Sequence, residues 1–193
     1  MKRVFILFAH PCEESFSAAL HRTVTGTLAA KGWQVDDCDL YAEGFNPVLS
    51  PAERRGYHDV ATNQRPVQAY VDRLLAAQAL ILVFPVWSYG YPAILKGFFD
   101  RVFLPGVSFH MENGKVGPGL QNIQKLAAVT TYGGTWLRTI LAGDPPRKVI
   151  TRSLRFVSQT GPTKFYALHD MNNATQTQRE AFLSKVRAGM EAF

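Results

Sequence analysis

Several features that usually announce a chemistry are scarce or missing. The chain has two cysteines in 193 residues, Cys12 and Cys38, with no CxxC and no Cys/His cluster at the spacing of a zinc site. A disulfide framework is excluded, no metal site is expected, and a reduced, cytoplasmic protein is the simplest expectation. No GxGxxG is present, which argues against a dinucleotide cradled on glycines. Long apolar runs are also lacking. The longest, residues 76–87, is broken by Gln78 and Pro85 and falls short of the roughly 20 residues needed to cross a bilayer, so no membrane span is expected. Met1, Lys2 and Arg3 precede an apolar run at 4–9, but that run is too short for a signal peptide and ends in His10, Pro11, Glu13 and Glu14 without a small-residue cleavage site. A buried first strand is the better reading. Internal repeats and low-complexity tracts are absent.

Acid is in the minority, with 15 acidic residues against 21 basic for a formal charge of +6. This balance favours anionic small molecules or acidic surfaces, and does not itself imply a nucleic-acid partner. The charges are scattered except for Arg138, Arg147, Lys148, Arg152, Arg155 and Lys164, a stretch whose one acid is Asp144. Such a stretch fits either a solvated helix face or a landing site for a phosphate-bearing cofactor. With 47% hydrophobic residues, the chain can bury one sizeable core, and residues 1–193 are read as a single domain.

Residues 4–9, 79–84 and 126–130 are short, nearly continuous apolar runs, as expected for strands covered on both faces. Phe16, Leu20, Val24 and Leu28 recur every four residues and stop at Gly32, a helical pattern. Further helices are predicted at 64–77, 93–102, 147–157 and 177–190, and weaker strands at 35–41 and 165–169. The alternation gives an α/β fold with five βα units: a flavodoxin-like, doubly wound, five-stranded parallel sheet with helices on both faces. In that topology ligands bind beyond the carboxyl ends of the strands at the switch point. The site should therefore lie on the loops after Ala9, Phe84 and Thr130, with 43–65 a long surface excursion.

The first loop, Ala9-His10-Pro11-Cys12-Glu13-Glu14-Ser15-Phe16-Ser17, leads from a strand into a helix. Amides at the helix start and the hydroxyls of Ser15 and Ser17 can bind phosphate oxygens, and His10 can add a donor. Ser15 is expected to cap the helix in any case. Glu13 and Glu14 oppose a phosphate unless they turn to solvent, and Cys12 has no neighbouring base to activate it. The second loop sets Trp87, Tyr89 and Tyr91 within five positions at the end of a central strand, a composition suited to stacking a flat ring. Pro92 is placed to start the next helix.

Taken together, these motifs are specific. His10-Pro11 with Ser15-Phe16-Ser17-Ala18-Ala19-Leu20, Asp39-Leu40-Tyr41 with Phe45-Asn46-Pro47, and Pro92-Ala93-Ile94-Leu95-Lys96-Gly97-Phe98-Phe99-Asp100-Arg101-Val102-Phe103 resemble the NAD(P)H:quinone oxidoreductase family. Thr130-Thr131-Tyr132-Gly133-Gly134 is similar to that family's Thr-Thr-Gly-Gly flavin loop with one residue inserted. The resemblance runs from Val4 to Gly134 and fades beyond. It implies FAD or FMN as cofactor, NAD(P)H as electron donor, a quinone-like acceptor and a homodimer with active sites at the interface. By the same resemblance, His10, Ser15, Phe16, Ser17 and Ala19 hold the flavin's phosphates and ribityl chain. Pro85, Val86, Ser88 and Tyr89, with Thr130, Thr131, Gly133 and Gly134, hold the isoalloxazine, and Trp87 with Tyr89 forms a shifted aromatic wall.

The family's Tyr and His after the glycine loop have no match in 135–146. Tyr132, Arg138 and His169 are the candidates for that role by residue type and position, and each equally fits a structural role. The implied activity is two-electron hydride transfer by an NAD(P)H dehydrogenase (quinone)-like enzyme, with backbone amides at Gly133 and Gly134 stabilising charge on the reduced ring. Two other classes share the fold. One is a flavodoxin-like electron carrier, a group usually acidic where this chain is basic; the other is a regulatory oxidoreductase subunit of a potassium-efflux system. The four phenylalanines between 98 and 109 point to an apolar face for a partner copy, unless Phe98, Phe99 and Phe103 turn into the chain's own core.

Overall fold

The computed structural model describes residues 2–193. Five strands, β1 (Arg3–Phe8), β2 (Gln34–Asp39), β3 (Ala79–Val86), β6 (Lys125–Tyr132) and β7 (Lys164–Leu168), form one parallel sheet in the order β2-β1-β3-β6-β7. The remaining two, β4 (Phe109–Glu112) and β5 (Lys115–Pro118), make an antiparallel hairpin apart from the sheet. The direction of winding reverses between β1 and β3, so a crevice opens there at the carboxyl edge.

Strand alternation divides the core in two. Val4, Ile6 and Phe8, with Ala79, Ile81 and Val83, face α1 (Phe16–Ala30) and α8 (Gln176–Glu191), which contribute Leu20, Val24 and Leu28 and Phe182, Val186 and Met190. Phe5, Leu7, Leu80, Leu82 and Phe84 face the other way, against α3 (Gln68–Ala76), α4 (Ala93–Val102) and Ile150 and Leu154. The four-residue spacing of Leu20, Val24 and Leu28 holds them on one helix face, and the nearly unbroken apolar strands are buried on both sides.

The excursion after β2 contains a short helix, α2 (Pro51–Arg55), begun by a capping box between Ser50 and Glu53. After β6 the chain forms α5 (Trp136–Leu141), then one helical segment made of α6 (Pro145–Lys148), six residues of π-helix (Val149–Leu154) and α7 (Arg155–Ser158). Phe98 is fully buried, and Phe99 and Phe103 pack against the same cluster. The apolar face expected around 98–109 is thus largely internal, because α4 turns these rings toward the sheet. The exposed apolar row lies instead on α5, where Trp136, Leu137, Ile140 and Leu141 are all open to solvent and Leu141 is 79% exposed.

Candidate active site

A cleft of about 480 Å³ opens at the carboxyl ends of β1 and β3, within the size range of small-molecule sites. Its walls are His10, Ser15, Phe16 and Ser17 from the first loop, Pro85, Val86, Trp87 and Ser88 from the second, Thr131 and Gly133 from the third, and Met171 and Asn172.

One end of the cleft is rich in hydrogen-bond donors. Ser15 caps α1, its Oγ accepting from the Ala18 amide at 3.1 Å, while the amides of Phe16 and Ser17 stand at the start of a 15-residue helix with its positive end toward the cleft. The Cys12 amide donates to His10 Nδ1 at 3.0 Å, which leaves the ring's proton on Nε2, free to donate outward. Glu13 and Glu14 are solvent-exposed, so their carboxylates are hydrated and compete little with an incoming anion.

The other end is aromatic and tightly turned. Trp87 and Gly90 exchange backbone hydrogen bonds of 3.2 and 2.8 Å around Ser88 and Tyr89, both left-handed at φ 50° and 56°. Two successive non-glycine residues in that region cost on the order of 1–3 kcal/mol each, a strain that concentrates at ligand sites. The turn sets the His10 ring edge-on to the half-exposed Trp87, with centroids 5.7 Å apart. Opposite, the glycine loop is fixed by the Asp170 amide donating to the Gly134 carbonyl at 2.9 Å. A Cβ at Gly133 would meet only Asn172 Nδ2 at 3.5 Å, so that wall is open on the cleft side.

The sequence matches the family described as flavodoxin-like fold over residues 2–190. The chain belongs to this family. It is 34% identical over 149 residues to NAD(P)H dehydrogenase [quinone] 1 of Rattus norvegicus, an alignment covering 69% of this chain and 54% of the relative, so the chain spans about half that protein's length. Two solved structures match nearly end to end. Smu.1420 of Streptococcus mutans is 29% identical with a TM-score of 0.89, covering 99% of this chain and 100% of that one. The NAD(P)H:quinone oxidoreductase of Methanothermobacter marburgensis is 25% identical with a TM-score of 0.85, covering 98% of each.

Within this flavodoxin-like chain, the remaining residues singled out from sequence are not on the cleft's walls. Ala19 faces a groove between α1 and α8 that also holds Arg22, Thr23 and Arg187. The Tyr89 hydroxyl lies 3.3 Å from where a Gly134 side chain would begin, on a half-exposed ring. Thr130 is fully buried with its Oγ1 unpartnered among the described residues, on the strand face opposite Thr131. Tyr132 shares that buried face, its hydroxyl donating to Asp144 Oδ1 at 2.7 Å and its ring stacked on His169 with centroids 4.5 Å apart. Burial first, then the bond to Asp144, pushes its phenol far above the ordinary range, so Tyr132 holds its proton. Burial lowers the His169 pKa, and its Nδ1 lies 3.4 Å from Thr139 Oγ1. Thr139 Oγ1 already donates to the Thr135 carbonyl, so His169 is the donor in that pair. Arg138 is exposed on α5, its Cβ 3.9 Å from the Gly134 position.

Met171 and Asn172 were missed by sequence reasoning. They sit in a 3-10 turn after β7, behind a left-handed Asp170, and the only cue was topological: the fifth strand's carboxyl end opens on the same crevice.

Proposed function

We propose that this chain is a flavin-dependent NAD(P)H oxidoreductase that reduces quinone-like acceptors. The observation that carries the reading is the polarity of the cleft, donor-rich at the α1 N-terminus and aromatic, apolar and glycine-walled at the other end. That donor set fits the phosphate of a flavin mononucleotide or the diphosphate of FAD. The Phe16 and Ser17 amides, the Ser17 hydroxyl and His10 Nε2 would hold the phosphate end, and Pro85, Val86, Trp87, Thr131 and Gly133 would hold the ring.

The redox chemistry, hydride accepted from NAD(P)H and passed to a quinone-like acceptor, is supplied by bound flavin. The chain's residues bind, orient and exclude water. Trp87 and its strained turn fix the stacking wall, and the Asp170 to Gly134 bond keeps in place the loop amides that would face a reduced ring. Tyr132 and His169 brace the loop from behind. The chain works as a homodimer in this reading, with the apolar α5 row covered by the second copy.

The decisive experiment is the visible spectrum of the purified chain after incubation with FMN and with FAD. A bound flavin band that bleaches with NADH or NADPH and returns with a quinone is the expected result. A chain that retains neither flavin is not this enzyme.

A further inference from the structure

The turn after β7 brings Asn172 to the cleft wall, and the turn itself gives no reason for an asparagine there. Asp170 is its left-handed residue, at φ 55°, and the Asp170 amide ties the turn to the Gly134 carbonyl. Asn173 closes the turn from inside, its Nδ2 donating to Asp170 Oδ1 at 2.9 Å and its amide to the Asp170 carbonyl at 3.0 Å. Asn172 is open to solvent and is not among the residues with positive φ. Its side chain makes no hydrogen bond among the described residues. Yet its carboxamide nitrogen lies 3.5 Å from where a Gly133 side chain would begin, against the glycine wall. Of two adjacent asparagines, one holds the turn and the other faces the cleft with both of its polar groups free.

We propose that Asn172 recognises the polar edge of a flavin ring, its carboxamide pairing with the ring's imide; this rests on the flavin reading of the cleft and adds to it a residue that sets how the ring lies. A flavin ring has unlike ends. One is a dimethylbenzene with no hydrogen-bonding group, and the other is an imide whose N–H stands between carbonyl oxygens. A carboxamide carries a donor and an acceptor side by side, so it accepts from the imide N–H and donates to a neighbouring carbonyl together. At the ring end of the cleft, Pro85, Val86 and Trp87 offer apolar surface, whereas Asn172 beside the Gly133 backbone offers polar groups. With the ring turned round, the dimethylbenzene end would cover the carboxamide and leave it without a partner, a loss that the paired arrangement avoids. The imide therefore lies toward the glycine loop and the turn after β7.

The test titrates the full chain and Asn172→Leu with whichever of FMN and FAD the parent retains, and with the same flavin methylated at its imide nitrogen. Both chains are also melted without flavin. Leucine is close to asparagine in size and breaks no bond of the turn, so the melting temperatures agree. The variant binds the flavin about tenfold more weakly, the factor expected for losing a pair of ordinary hydrogen bonds. The parent discriminates against the methylated flavin, which cannot donate from that nitrogen, and the variant loses most of this discrimination. Asn172→Asp keeps the shape but sets a carboxylate at the same edge. It also binds more weakly, and the flavin it holds is reduced at a lower potential than the parent's, because the carboxylate opposes electrons entering the ring. Equal affinity of the parent and Asn172→Leu, discrimination that survives in Asn172→Leu, or an unchanged potential in Asn172→Asp overturns the proposal and leaves the flavin reading standing. A markedly lower melting temperature for flavin-free Asn172→Leu also overturns it, because Asn172 would then belong to the turn. A parent that binds neither FMN nor FAD overturns both.

Discussion

Replacing Gly133 by valine separates the cleft's wall from the fold that carries it. A Cβ there meets Asn172 Nδ2 at 3.5 Å and nothing else within 4 Å, an ordinary contact, and Gly133 is not among the glycines with positive φ. The free chain should therefore accept the substitution, with a stability change within about 1 kcal/mol and a shift in Tm of no more than about 4 °C. The cleft side is different. Valine adds its branched bulk to a wall of a 480 Å³ space against which a rigid ring has to lie, and crowding of that kind costs about 1–3 kcal/mol. Flavin affinity should fall roughly 5- to 150-fold. Titration of the apoprotein by quenching of flavin fluorescence gives the Kd, and circular dichroism melting of the same samples gives the fold. An unchanged Kd with an unchanged Tm would place the ring elsewhere and refute the reasoning. A collapsed fold would refute the claim that the wall is open.

Three further outcomes follow from contacts behind the cleft. Tyr132→Phe removes the hydroxyl bonded to Asp144 and should cost about 1–3 kcal/mol, a fall of roughly 3–10 °C in Tm; a calorimetric scan matching the parent would show that the bond contributes nothing. His169 has a lowered pKa in the folded chain because of burial, so below the ordinary value of ~6.5 the unfolded chain binds this proton more readily than the folded one. Stability should then decrease as pH falls from about 7 towards the lower folded pKa, and His169→Gln should flatten that part of the Tm against pH curve; an identical slope in the variant would assign the dependence to other groups. Gly97→Ala would drive its Cβ onto the carbonyl oxygen, Cα and Cβ of Pro47, and urea denaturation should show a loss of at least about 1–3 kcal/mol, despite alanine's better helix propensity.

The buried strands were legible because continuous apolar runs have few other uses. Residues 79–84 predicted β3, yet the strand continues through Pro85 to Val86, paired with Thr131 and Tyr132. Proline cannot donate to the ladder, and at a strand's last turn that loss is small. The helix at 93–102 matched its prediction, being framed by Pro92 and strongly one-sided. The hairpin at 109–118 was not foreseen, although Asn113 and Gly114 both take positive φ at its turn; Asn-Gly is a hairpin signal, but the flanking residues lack clear alternation. Sequence brought ten of the cleft's wall residues to notice, since loops at strand ends are fixed by topology. It said less about where each side chain points. Tyr132 read as an insertion in a loop, whereas the strand extends to include it, and period-2 alternation then turns its ring away from Thr131 and into the core. The phenylalanines of α4 misled for a related reason: composition shows that a segment is apolar, and only packing shows which side is already covered.

The π turns at Val149–Leu154 have a consequence for phase. In a regular helix each residue advances by about 100°, so a position four residues on is about 40° out of line, and a row repeated three times at that interval drifts by about 120°. The buried positions here, Pro146, Ile150, Leu154 and Ser158, keep a strict interval of four. Wider i to i+5 turns slow the advance, so the row stays buried from end to end. The same correction acts on the opposite side, where Lys148, Arg152 and Phe156 also fall four apart. Tightened to ordinary α geometry, this sequence would wind one row progressively off the sheet and carry the other in after it, until a cation or an aliphatic side chain stood on the wrong side of the water boundary.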